Sequence, residues 1–239
     1  MLYCLQSYYE YSNDERVINL MTKYFKFQNS IPENSLLSKD KYWARRRAGD
    51  NLHSVIWLYN RTGDKWLLEL AEKIHKKSVR WESRGNSLDK IESPKTLREG
   101  YEWPSWYGDL IDWHNVNIAQ GFREPAQYYL LSGNKQHLDA TYENFNIIRE
   151  HFGQVPGGMF GSDEYSRPGY DDPRQAIETC GMVEQMNSDE HMLRITGDIF
   201  WADHVEEVAF NNYPAAVMPD FRSLRYLTSP NMVISDSES

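Results

Sequence analysis

Apolar residues recur at helical spacing through most of the chain and are interrupted at intervals by short polar turns. After one such turn Trp66, Leu67, Leu70 and Ile74 follow one another on a single helical face. Strand-like alternation is scarce until the C-terminal end, where residues 231–235 (NMVIS) resemble the beginning of a strand. The pattern therefore predicts an all-α protein with a strand-like segment at its C-terminal end.

The polar turns repeat. Thr62-Gly63-Asp64, Ser132-Gly133-Asn134 and Thr196-Gly197-Asp198 each place Gly where one helix can end and Asp or Asn where the next can be capped. A degenerate copy in residues 8–25 has Asn13 instead of Gly. Each turn predicts a pair of antiparallel helices, and a toroid or solenoid of such hairpins is the simplest architecture. A plain helical bundle is the alternative, because periodicity does not detect curvature.

Composition excludes several classes of protein. The chain is 40% hydrophobic, with eight Trp and sixteen Tyr, which is typical of a folded protein. Its net charge of −9 argues against nucleic acid as a partner. No apolar run approaches the ~20 residues that cross a bilayer, and no basic signal-peptide segment begins the chain. Two cysteines form no disulfide framework, so they do not indicate a compartment. Oligomeric state is undetermined.

Both ends of the chain interrupt a pattern. The N-terminus begins inside an amphipathic stretch that has no helix cap, and the C-terminus stops directly after the strand-like NMVIS. We therefore expect residues 1–239 to form a single helical domain that is a fragment of a longer protein.

The connection YEWPSWYGDLIDWHNVNIAQ sets tryptophans beside carboxylates and a histidine. Aromatic faces stack on sugar rings, while polar side chains bind sugar hydroxyls. A helix beginning at Asp112 or Trp113 would place His114 and Asn117 on one face with Gln120 beside them. Two interpretations stay open, a carbohydrate-binding face and a buried polar network inside the core.

A second long connection is rich in glycine and carries the acidic pair Asp163-Glu164. Asp172 is then predicted to cap a helix that carries Glu178. Hydrolysis of a glycosidic bond needs two carboxyl groups facing each other across the substrate. Glu164 and Glu178 could supply them, with Asp163 and Asp171 as competitors. The alternative is that the loop carries acidic residues only because it is exposed to solvent, and that these residues take no part in catalysis.

Glu178 and Cys180 stand two residues apart, and on a regular helix such residues point to nearly opposite sides. They could share a metal ion only if the helix were irregular there and further ligands came from elsewhere. Spacing alone therefore disfavours zinc.

The segments HNVNIAQGFREPAQYYLLSG, GGMFGSDE and ETCG, in this order, resemble the glycoside hydrolase family that includes the β-L-arabinofuranosidases, the former DUF1680 group. The resemblance extends from about residue 40 to residue 233. It implies an (α/α)6 toroid followed by β-sandwich domains, and the hairpins of this chain would form the later part of the toroid.

The resemblance also implies roles for single residues. Glu164 matches the general acid/base of the arabinofuranosidases, and Glu178 and Cys180 match zinc ligands. His114 matches a histidine that contacts the sugar. His53 is implied on an equivalent helix that faces the pocket.

One departure stands out. The arabinofuranosidases carry a Cys-Cys pair before Pro-Asn, which supplies the nucleophile and zinc ligands, whereas this chain has Thr228 and Ser229. Hydroxyl groups are poor zinc ligands and, without a base, poor nucleophiles. We therefore expect no tightly bound zinc at Glu178 and Cys180.

The sequence thus predicts a glycoside hydrolase that cleaves a polysaccharide or oligosaccharide, with Glu164 as general acid. Glu178 would serve as a base for an attacking water, or a carboxylate would replace the cysteine nucleophile. Two alternatives are a non-catalytic helical module that binds glycan or protein and an inactive truncated form. Convergence of Glu164 and Glu178 beside His114 and Trp113 would favour the enzyme.

Overall fold

The computed structural model describes residues 1–37, 42–83, 114–164, 166 and 175–230. These residues are mainly helical, with two short strands. The helices are α1 (Leu2–Ser12), α2 (Glu15–Ser30), α3 (Tyr42–Arg46), α4 (Ala48–Thr62), α5 (Trp66–Lys77), α6 (Asn115–Gly121), α7 (Glu124–Ser132), α8 (Lys135–Phe152), α9 (Thr179–Thr196), α10 (Phe200–Glu207) and α11 (Tyr213–Ala216), with a 3₁₀ turn at Trp81–Ser83 and a π-helical turn at Val208–Asn212. The strands are β1 (Ile177–Glu178) and β2 (Leu227–Thr228).

The predicted hairpin turns are present. Gly63, Gly133 and Gly197 have φ of 70°, 64° and 68°, and each donates its amide to the carbonyl four residues earlier. Asn13 adopts the same left-handed conformation in the degenerate copy, with φ of 53°. The helix that precedes each turn therefore ends where the sequence predicts.

The caps of the following helices are only partly as predicted. The Asn134 side chain accepts from the Gln136 amide at 3.1 Å, and that of Asp198 accepts from the Phe200 amide at 3.0 Å. The prediction for Asp64 is wrong, since α5 begins after Lys65 without a side-chain cap.

Two helices begin later than the sequence predicts. Helix α6 begins at Asn115, not at residue 112 or 113, and α9 begins at Thr179. Glu178 therefore lies on β1 and not on a helix. The cause is pairing with a distant segment, because Ser162 donates its amide to the Ala176 carbonyl at 2.9 Å and accepts from the Glu178 amide at 2.9 Å. Asp171, Asp172 and the NMVIS segment lie outside the described residues.

The chain forms two compact units, the first made of residues 1–79 and 127–133 and the second of 80–126 and 134–239. The first unit has a core of buried aliphatic and aromatic side chains from α2, α4 and α5. In the second, Phe122, Phe145 and Trp201 pack with ring centroids 4.9 to 5.9 Å apart. That the units belong to one domain stays a prediction. Within the described residues, no helix combines the length and the apolar character needed to cross a bilayer.

Candidate active site

The glycine-rich loop that carries Glu164 is anchored to the second unit at its glycine pair. Gly157 and Gly158 both have φ of 98°, a conformation that only glycine adopts easily. Asn212, in the π-helical turn, accepts from the Met159 amide at 3.0 Å and donates to the Pro156 carbonyl at 2.9 Å. These hydrogen bonds fix the position of the loop, whereas a solvated acidic loop would lack them.

The Glu164 end of the loop is fixed by α6. The Asn115 amide donates to the Glu164 carbonyl at 2.8 Å, and the Asn115 side chain donates to the Ser162 carbonyl at 3.1 Å. Asn115 lies against α9 where Gly181 leaves room, because a Cβ at Gly181 would lie 1.2 Å from Asn115 Oδ1. The backbone of Glu164 is thus held by a residue of α6 that itself packs against α9.

Glu178 reaches the same place from the junction of β1 and α9. Strand β1 pairs antiparallel with β2, so that Glu178 lies opposite Leu227. Next along the chain, Thr179 donates its amide to the Tyr226 carbonyl at 3.0 Å. This pairing brings Tyr226 beside Glu178, which is buried with 3% of its surface exposed.

The Tyr226 hydroxyl joins the two carboxyl groups. Its oxygen lies 2.8 Å from Glu164 Oε1 and 3.1 Å from Glu178 Oε1. A phenol carries one proton, so it can donate to only one of these oxygens at a time. The three side chains form a hydrogen-bonded cluster, hereafter the carboxylate–tyrosine cluster.

His114 adds an imidazole on the Glu178 side of the cluster. As the N-cap of α6, it accepts from the Val116 amide at its Nδ1, at 3.2 Å. That bond leaves the ring proton on Nε2, which lies 3.8 Å from Glu178 Oε2. The buried His114 therefore presents an N–H toward the carboxyl group of Glu178.

Cys180 is exposed at the first turn of α9. Although the residue is exposed, partial burial of its sulfur raises the pKa of the Cys180 thiol, and the charge and hydrogen bonding of Glu178 raise it further. The two side chains do interact, because the chain changes from strand to helix between them. The sequence argument applied only to a regular helix, and Glu178 lies before the first residue of α9, as its N-cap.

Comparison with known proteins assigns the chain to a family. A model of the β-L-arabinofuranosidase GH127 catalytic domain matches residues 1–238. The chain belongs to this GH127 family. Among curated proteins none matches the sequence.

Solved structures of low sequence identity share the fold. Ara127N, a GH127 β-L-arabinofuranosidase from Geobacillus stearothermophilus T6, matches with a TM-score of 0.65 at 17% identity, over 95% of this chain and 38% of its own. A structure named only as a glycoside hydrolase matches with a TM-score of 0.59 at 16% identity, over 96% of this chain and 39% of its own. This chain thus spans under half the length of either. The likeness confirms the predicted all-α, toroid-type fold of the GH127 domain.

Five further residues are predicted to bind substrate in this GH127 chain. Asn117 and Gln120 are buried on α6. Asp163 accepts from the Glu164 amide at 2.7 Å, which shapes the backbone beside the acid. His53 lies on α4 in the first unit, with its ring centroid 5.3 Å from that of Tyr3. Trp113 is outside the described residues, and the ligand-binding roles of all five stay predictions.

Tyr226 is the member of the cluster that sequence reasoning missed. It stands two residues before Thr228, in the segment where the GH127 resemblance shows a departure. The departure at Thr228 marks this segment as unusual, but Tyr226 contacts Glu164 and Glu178, which lie 62 and 48 positions earlier in the chain. Local sequence patterns do not predict contacts between residues so far apart.

The zinc ion that the GH127 resemblance implies does not fit the residues present. A tetrahedral site needs four deprotonated or neutral N, O or S ligands. Within the described part of the chain, no third Cys, His, Asp or Glu offers a ligand atom within 4.8 Å of both Glu178 and Cys180. The reaction proposed for this chain therefore uses no zinc.

Proposed function

We propose that this chain hydrolyses β-L-arabinofuranosidic bonds in oligosaccharides or polysaccharides, with Glu164 as the general acid. Membership of the GH127 family supports the class of substrate. The observation that carries the proposal is the meeting of Glu164 and Glu178 at one phenolic oxygen beside His114. A glycan-binding module has no need of two carboxyl groups in this arrangement, so the convergence favours an enzyme.

The exposure of the two carboxyl groups suits Glu164 for acid catalysis. Glu164 is partly exposed and Glu178 is buried. An entering glycosidic oxygen therefore meets Glu164 and takes its proton as the leaving group departs.

The spacing of the two carboxyl groups favours retention of configuration. Because both Oε1 atoms lie within hydrogen-bond distance of one hydroxyl, they are at most about 6 Å apart, below the ~6.5–9.5 Å of inverting enzymes. The place where an inverting enzyme holds water is taken by the Tyr226 hydroxyl. The reaction we propose is a double displacement in which a side chain of the cluster is the nucleophile.

The test is hydrolysis of 4-nitrophenyl β-L-arabinofuranoside by the whole chain, with the anomeric product followed by NMR. We expect release of the β anomer first. Glu164→Gln should lower kcat/KM for an unactivated arabinofuranoside by ~10²–10⁴-fold, the usual contribution of a general acid. The matched control is Glu150→Gln, which changes an exposed carboxylate on α8 and should leave turnover unchanged.

Two outcomes would contradict the proposal. If Glu164→Gln alters turnover less than a few-fold while Asp163→Asn or Glu178→Gln abolishes it, Glu164 is not the acid. If the purified chain folds but does not hydrolyse the β-L-arabinofuranoside, the proposed activity of this chain is wrong.

A further inference from the structure

The first unit contains a cavity whose lining residues all belong to that unit. It has a volume of about 620 Å³ and is lined by residues of α1, α2, α3 and α4 and of the segment that follows α2. Sites for small molecules have volumes of ~300–1,000 Å³. We propose that this cavity binds a neutral sugar, either a free monosaccharide or one residue of a glycan. The inference goes beyond the proposed hydrolysis, because it uses no residue of the carboxylate–tyrosine cluster.

Among the described residues that line the cavity, two have a buried polar atom without a hydrogen-bond partner. These atoms are Gln28 Oε1 and Asn51 Nδ2. The Gln28 side chain is deeply placed, with 9% of the residue exposed. Native proteins rarely leave such atoms unsatisfied, so a bound molecule is expected to supply the missing partners. An amide turns easily about its last side-chain bond, which lets a molecule in the cavity reach either atom.

The two unpartnered atoms differ in the partner that each requires. Gln28 Oε1 accepts a hydrogen bond, whereas Asn51 Nδ2 donates one. A hydroxyl group meets both needs, because its proton donates while its oxygen accepts. An inorganic anion could accept from Asn51 but could not donate to Gln28, and a metal cation could bind the oxygen of Gln28 but could not accept from Asn51. The pair therefore favours a ligand with several hydroxyl groups over an ion.

The rest of the wall suits an uncharged ring that has apolar C–H groups. Most of the wall is apolar, and Tyr3 and Tyr24 contribute aromatic rings to it. Its described side chains carry two charges of opposite sign, on Arg47 and Asp50. The Arg47 guanidinium also lies over the Trp43 ring, 4.4 Å from the centroid. Because the two charges balance, the wall favours a neutral ligand over an acidic or a basic one.

Hydrogen bonds between α1 and α4 hold the shape of the cavity. The Tyr3 hydroxyl donates to Asp50 Oδ1 at 3.2 Å, and the Gln6 amide donates to Ser54 Oγ at 2.9 Å. Ser54 Oγ in turn donates to the Asp50 carbonyl at 3.1 Å. A wall that is already ordered costs a ligand less entropy on binding. The cavity is therefore organised as a site before a sugar enters it.

Calorimetric titration with four sugars tests the site. L-arabinose and D-xylose represent free monosaccharides, and their methyl β-glycosides represent residues of a glycan, because the methyl group blocks the anomeric oxygen as a glycosidic bond does. The titrations use the whole chain with Glu164→Gln, which prevents turnover of the glycosides. We expect at least one of the four sugars to bind with a Kd on the order of 1 mM. Binding of the glycosides would identify the ligand as part of a glycan, and binding of the free sugars alone would identify a monosaccharide.

Substitution of the two amides shows whether the sugar lies in this cavity. Gln28→Met and Asn51→Leu remove the amide at nearly constant volume, and each should raise the Kd by roughly fivefold. Neither should lower the unfolding midpoint, because the atoms removed have no partner to lose. Asn60→Leu, at an exposed position on the same helix, is the matched control for affinity and should leave the Kd unchanged. Gln6→Met removes a buried amide that does have a partner and should lower the midpoint.

Two results would overturn the inference, and neither depends on turnover. One is that none of the four sugars binds with a Kd below about 10 mM. The other is that a sugar binds but Gln28→Met and Asn51→Leu both leave its Kd unchanged, because the sugar then lies elsewhere. If the two substitutions weaken binding in a chain that hydrolyses no arabinofuranoside, the sugar site stands and only the proposed function fails.

Discussion

The second unit holds two carboxylate clusters that differ in how completely their hydrogen bonds are satisfied. In the first, Asp189 is wholly buried, accepts from Gln185 Nε2 at 2.8 Å and contacts His204 Nδ1 at 2.7 Å. His204 Nε2 lies 3.0 Å from the Gly158 carbonyl, to which Arg149 also donates. In the carboxylate–tyrosine cluster, two carboxyl oxygens meet one partly exposed hydroxyl.

The difference separates a structural use of carboxylates from a chemical one. Both oxygens of Asp189 have partners, and the network ends on the backbone of the glycine-rich loop, so it fixes where that loop lies. The open cluster has one phenolic proton between two acceptors and is accessible to solvent. A site that must move protons needs that arrangement, whereas a buried network is stable only when every member is satisfied.

The largest effect should come from the closed cluster. Asp189→Ala leaves buried donors of Gln185 and His204 without their acceptor, and we expect a loss of about 3–5 kcal/mol in the free energy of unfolding. Urea denaturation measures this. Asp203→Ala, an exposed aspartate on α10, is the control and should cost less than about 1 kcal/mol. If Asp189→Ala lowers the free energy of unfolding by less than about 1 kcal/mol, as expected for the control, the network does not hold the unit together.

An intermediate effect is expected where α9 meets the cluster. Gly181→Ala places a Cβ against the buried Asn115 side chain and should destabilise the fold by about 1–3 kcal/mol. Because Asn115 also holds Ser162 and Glu164, kcat/KM should fall as well. Gly133→Ala is the control, with φ of 64° and open space around it, and it should cost about 1–2 kcal/mol without loss of activity. Unchanged turnover in Gly181→Ala would show that Glu164 is positioned by other contacts.

These two regions also show what the sequence could predict. The hairpin turns were predictable because a left-handed glycine such as Gly197 acts within one turn. The structure of residues 175–178 was not predictable, because pairing with Ser162 and Thr228 overrides the local capping signal. The part that Tyr226 plays was missed because its contacts, too, are with residues distant in the chain. Glu164 and Glu178 were candidates from the residues alone, beside Asp163 and Asp171, and the family resemblance gave them their roles. Their convergence depends on contacts that no spacing reveals.

A smaller effect concerns the thiol beside the open cluster. Burial raises the pKa of Cys180 and Glu178 raises it further. A raised pKa means less thiolate at a given pH, so iodoacetamide should modify Cys180 slowly near neutral pH. Glu178→Gln removes the negative charge and should shift the rate profile to lower pH, with a few-fold faster reaction near neutrality. The exposed Cys4 is the internal control, and an unchanged Cys180 rate would show that Glu178 does not influence the thiol.

The smallest expected effect is that of zinc removal, which we predict to be none. Thr228 and Ser229 stand where the GH127 resemblance implies cysteines. A structural zinc ion contributes apparent binding free energies of ~10–16 kcal/mol, so its loss would be obvious. We therefore expect that treatment with a chelator leaves both the unfolding midpoint and turnover unchanged.

Elemental analysis of the purified chain gives the direct measurement, because it does not depend on activity. We expect far less than one zinc per chain, with the same value in Cys180→Ser. A content close to one zinc that disappears in Cys180→Ser would contradict the prediction. It would also change the comparison of the two clusters, since Glu178 would then be a metal ligand and the open cluster would be part of a metal site.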